Sequence, residues 1–147
     1  MAGRRDIDRL HEELEALVDD LWRLPRFAGP RRGFRPQVDV VRTDDPPRLT
    51  VVVDLAGVAP EDVEIAVLDR TLVVTGERRP ARPDGPCSYH QLEIEYGSFQ
   101  RRVTLAENVD VDGAHATYER GLLTIVFPLA ERPAPTARIS ISVRVRS

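Results

Sequence analysis

Cysteine is nearly absent from this chain, and lysine is absent altogether. The single thiol, Cys87, excludes an intrachain disulfide framework. All 21 basic residues are arginine, which reads mainly as genomic base-composition bias. Aromatic residues make up only 5%, so any core must lean on Val, Leu and Ile. A net charge of −3 leaves no basic footprint for nucleic acid. No apolar run approaches the roughly 18 residues of a membrane span. Met1 to Asp8 lacks the apolar core of a secretory signal. A cytoplasmic location is the default expectation, with no membrane or nucleic-acid partner.

Residues suited to catalysis are as scarce. The three histidines are His11, His90 and His115. None shows metal-ligand spacing with the other candidate ligands, and no G-x-x-x-x-G-K-[ST] loop is present to cradle phosphate. Cys87 and His90 are close in sequence, but no orienting or oxyanion motif accompanies them. Cys87 reads as an exposed loop thiol and His115 as a structural strand residue. No enzyme activity, cofactor or metal is expected.

What the chain does hold is pattern. From Asp6 to Leu24 the apolar residues Ile7, Leu10, Leu14, Leu17, Leu21 and Leu24 recur every three or four positions, a helical seam of nearly heptad period. Val18 and Trp22 widen the stripe, Asp6 suits the N-cap, and Pro25 stops the helix. At this length an isolated helix is marginal, so it needs a partner surface. That surface is either its own domain or, the favoured reading, another copy or an unfolding protein. Arg26 to Pro36, with Gly29, Pro30, Gly33 and Pro36, reads as a flexible linker. Residues 1–36 are thus expected to form an arm.

From Gln37 the period changes to two. Strands are expected at Val38–Val40, Leu49–Leu55, Val63–Leu68, Leu72–Gly76, Phe99–Leu105, His115–Tyr118 and Leu122–Phe127, with a weaker candidate at Tyr89–Ile94. Turns fall at Asp44–Pro47, Ala56–Asp62 (with a short helical piece), Asp69–Arg70 and Arg120–Gly121. Short strands at close spacing, with no strand–helix alternation, predict an all-β antiparallel sandwich over residues 37–129. A long polar loop follows Gly76. Residues 130–147 form a tail in which Ile139, Ile141, Val143 and Val145 alternate with Ser and Arg, a strand in need of an edge.

Several blocks, in order, resemble the small heat-shock protein (α-crystallin domain) family, bacterial type. They are Val51–Val58 with Glu61-Asp62-Val63, Leu72–Arg78, Glu95–Arg101, Ala116–Leu123 and Ile139-Ser140-Ile141. Three positions depart from the family pattern: Ala56 and Ala106 replace usual prolines, and Arg120 replaces the usual Asn before Gly121. A type I′ turn needs positive φ at both central residues, so Arg120 predicts another turn with only Gly121 left-handed.

The resemblance implies an immunoglobulin-like sandwich and an ATP-independent holdase that binds unfolding proteins as a homo-oligomer of strand-exchanged dimers. It implies that Ile139 and Ile141 fill a groove on a neighbouring copy, lined by Val63, Ile65, Val67, Ala114, Ala116 and Tyr118. It makes Tyr89, Leu92 and Ile94 the exchanged strand, pairing with a partner's Gln37–Arg42 through Val38 and Val40. Arg101 matches an interface arginine expected to pair with a carboxylate. Client-contact candidates are Leu10, Leu14, Leu17, Leu21, Trp22, Phe27 and Phe34. The rival reading is a monomeric co-chaperone or adaptor on a related sandwich.

Overall fold

Residues 33–133 and 139–147 are described by a computed structural model. The expected N-terminal helix, with Leu10, Leu14, Leu17, Leu21, Trp22 and Phe27, lies outside the described residues.

Among the described residues nine strands form two sheets: β1 (Val38–Asp44), β2 (Pro47–Asp54), β3 (Glu64–Leu68), β4 (Thr71–Arg78), β5 (Gly97–Thr104), β6 (His115–Glu119), β7 (Leu122–Pro128), β8 (Ile139–Ile141) and β9 (Val143–Val145). One sheet runs β1-β2-β7-β6-β9, the other β5-β4-β3-β8. The short helical piece in the second turn is a 3-10 turn at Pro60–Asp62. The tail, read as one strand, is two strands parted at Ser142, one in each sheet. Every pair is antiparallel except β6 with β9.

Alternation sets the core. Along β2, Leu49, Val51 and Val53 face inward, and their partners on β7 are Phe127, Ile125 and Leu123. Leu72 and Val74 of β4 and Phe99 of β5 close the other layer. Because side chains repeat with period two, slipping β2 on β7 by one residue would turn Leu49, Val51 and Val53 outward. Burial of these aliphatic side chains, about 1.5–3 kcal/mol each, is the main term holding the layers together.

The β6–β7 hairpin corrects the turn expectation. Arg120 has φ 54° and Gly121 φ 80°, so both central residues are left-handed, as in a type I′ turn. The twist of the flanking strands selects that turn and outweighs the roughly 1–2 kcal/mol that a left-handed arginine costs. Gly121 has a second constraint. A Cβ there would lie 2.9 Å from Cα of Ala56, the backbone to which the turn is tied by Leu55 N–H donating to Gly121 O.

The domain also starts earlier than the linker composition predicted. Phe34 and Pro36 are buried, and Phe34 belongs to the core cluster. Arginines, glycines and prolines around it concealed a single inward-facing ring.

Candidate functional site

Apolar surface available for binding sits at the sheet edges and in the segment before β5. At one end, β8 adds to β3 with Ile139 opposite Val67, Ser140 opposite Ala66 and Ile141 opposite Ile65. One residue later β9 adds to β6, with Val143 opposite Ala116 and Val145 opposite Tyr118. Ile139, Ile141 and Val143 are half-buried against the core. The expected groove residues Ile65, Val67, Ala116 and Tyr118 therefore meet the tail, while Val63 and Ala114 lie just before the two receiving strands. The tail occupies the groove of its own chain, where the sequence reading sent it to a neighbour.

Tyr118 fixes the floor of this groove. Its hydroxyl lies 2.9 Å from Leu55 O and 2.7 Å from Val58 O, and donates its one proton to either carbonyl. Burial pushes the Tyr118 pKa above the ordinary tyrosine value, and the nearby Asp54 carboxylate adds to the shift. A folded-state pKa above the unfolded one stabilises the fold below about pH 10 and loses that contribution as pH rises through the shifted value. Tyr118→Phe should cost about 1–2 kcal/mol at neutral pH, since Val58 O loses its donor. The same variant should show a smaller loss of urea stability between pH 9 and pH 11 than the wild type. Equal alkaline losses in the two proteins would remove Tyr118 as their source.

At the other end β1 is an edge strand whose outer side is unpaired among the described residues. Val38 lies opposite Val53 on β2, whereas Val40 and Val41 are exposed. Arg42 ties this edge down, its Nε donating to Glu107 Oε2 at 2.8 Å and its Nη1 paired with Asp44. The weaker strand candidate did not form: residues 79–96 have no strand, and Tyr89, Leu92 and Ile94 are exposed in irregular chain. In this single chain the segment pairs with neither of the open edges nearest the same end of the two sheets, those of β1 and β5, so any strand it forms would have to be made against another copy.

Arg101 is on β5 opposite Val74, on the same inward face as Phe99 and Val103. The expected carboxylate partner is not found among the described residues, and the buried Nε has no hydrogen-bond acceptor. An unpaired buried donor is costly, so this atom calls for an acceptor from beyond the described residues.

Sequence reasoning did not single out the cluster around Arg78. Its guanidinium stacks 3.7 Å from the centroid of Phe34 and lies 5.9 Å from that of Tyr96. Its Nε donates to Glu95 O at 2.9 Å. Phe34 in turn sets its edge against Phe99, centroids 5.6 Å apart. Phe34, expected to be a client contact, is therefore spent on packing. With so few aromatics in the chain, a Phe directly before the first strand was the available clue.

The profile of the Hsp20/alpha crystallin family matches residues 41–144. Small heat shock protein C2 of Rickettsia felis is 26% identical over 129 residues, covering 88% of this chain and 80% of its own. A 19.0 kDa class II heat shock protein of rice is 37% identical over 66% of this chain, and the match spans only 59% of the rice protein's length. Among solved structures, heat shock protein 16.0 from Schizosaccharomyces pombe superposes with TM-score 0.61 at 30% identity, over 74% of this chain and 99% of that one. A small heat-shock protein from Xylella fastidiosa gives TM-score 0.58 at 30% identity, over 71% and 94%. With the two sheets and the docked tail in place, the match over residues 41–144 shows that the chain belongs to the Hsp20/alpha crystallin family of small heat-shock proteins.

Proposed function

We propose that this chain is an ATP-independent holdase, assembled from copies of itself, that covers apolar patches on unfolding proteins. The family is one of chaperones and not of enzymes. The observation that carries the reading is the tail. Its half-buried Ile139, Ile141 and Val143 lie over a groove by strand pairing and side-chain contact, a cover that can lift without unfolding the core. The same contacts made with a neighbour's groove would link copies, because exchanging an identical element between protomers conserves every contact.

The unpaired edge of β1 and the exposed Tyr89, Leu92 and Ile94 support strand exchange between two copies. Pairing them would cover both an open edge and three apolar side chains. We place the protein in the cytoplasm; among the described residues no helix is long and apolar enough to cross a membrane.

The test is a heated model substrate followed by light scattering, with the full-length protein and no nucleotide. Scattering should fall steeply near one copy per substrate molecule, and added ATP should change nothing. Scattering that rises equally fast with the protein in excess would overturn the reading. The tail seated on its own chain favours a second reading, the monomeric adaptor. A mass of 16.5 kDa in solution, rather than a multiple of it, would select that one.

A further inference from the structure

The I-x-I motif accounts for β8 and stops at Ile141, yet the alternation of branched and polar residues runs on to Val145. After Ser142 the chain leaves the β3 edge and joins the other sheet. There Val143, Arg144 and Val145 lie opposite Ala116, Thr117 and Tyr118 in a parallel ladder. Arg146 N–H closes it by donating to Tyr118 O at 2.9 Å. Val143 is half-buried against the core, so the segment contributes packing as well as hydrogen bonds.

We infer that residues 143–146 are a second docking strand, whose site is the outer edge of β6, so that the tail is a clasp gripping both sheets at once. The inference deepens the tail reading above and rests on it. Among the described residues the occupant of the β6 edge is this segment of the tail. It lies on its own β6 here, and an exchanged tail would carry the same register to a second copy.

Two consequences follow from the geometry. The tail cannot leave β3 fully while β9 holds, since a single residue separates the two strands. Release is therefore a coupled event, and the second grip raises the effective concentration of the first. Furthermore, β6 without β9 presents a bare row of peptide groups, an edge open to any extended chain. The clasp closes that edge whenever the Ile pair is seated.

Hydrogen exchange on the full-length protein tests this, with β6 and β3 amides read separately. Arg146→Pro removes the one N–H that bonds Tyr118 O, whereas Arg146→Ala keeps it. We expect exchange at β6 to rise roughly five- to tenfold in the proline variant and to stay at wild-type rates in the alanine variant. A chain ending at Ser142, which retains Ile139 and Ile141, should show a larger rise at β6, roughly a hundredfold, with a smaller rise at β3. Wild-type β6 exchange in both the proline and the shortened variants would overturn the clasp. Rapid exchange at β3 in the wild type would instead show that the Ile pair itself does not dock.

Discussion

Truncating Phe34 to alanine is expected to cost about 3 kcal/mol of stability, seen as a lower urea midpoint with an unchanged slope. The ring is 9% exposed, stands edge-on to Phe99 and has a guanidinium stacked on its outer face. Removing it opens a cavity beside Phe99 and leaves Arg78 with only the more distant Tyr96 ring, a loss of roughly 1 kcal/mol that belongs to the same total. Phe34→Leu keeps most of the volume and should lose less than half as much. Protein concentration must be held fixed, because assembly adds to apparent stability. An unchanged midpoint in the alanine variant would return Phe34 to the arm. Loss of protection against aggregation at unchanged stability would make it the client contact that its sequence position suggested.

The same residue shows where the sequence was legible and where it was not. The β2–β7 pairing could be read directly, since alternate burial of Leu49, Val51 and Val53 leaves a period of two in the sequence. Phe34 could not, because one inward residue makes no period. Tyr89 to Ile94 has strand-like composition but pairs with no strand of its own chain among the described residues, and pairing is a property of two segments rather than of one. The left-handed Arg120 ran against residue preference because the twist of β6 and β7 decided the turn. In the tail, alternation is identical on both sides of Ser142, so nothing in the sequence marked the crossing from one sheet to the other. Side-chain chemistry was harder still. The Glu95–Arg101 and Leu72–Arg78 blocks were visible, but the stack that joins Arg78 to Phe34 is made by residues 44 positions apart.

Replacing Ile139 and Ile141 together by alanine should shift the native mass distribution toward dimers. Fully buried, each isoleucine is worth about 1.5–3 kcal/mol; half-buried and reduced to a methyl rather than to nothing, the pair loses roughly 2 kcal/mol. That weakens one tail contact about 30-fold. In an assembly every copy gives a tail and receives one, so the losses compound and a particle held by avidity comes apart well before a single contact vanishes. The core should be indifferent, because Leu49, Val51, Phe127 and their partners do not depend on the tail for their packing. Native mass spectrometry reads the assembly, and hydrogen exchange at β3 reads the groove. Smaller particles with faster exchange at β3 are the expected pair of results. An unchanged mass with faster β3 exchange would mean that the tail closes on its own chain and links nothing. Any larger assembly would then have to be held by the β1 edge or by the N-terminal arm.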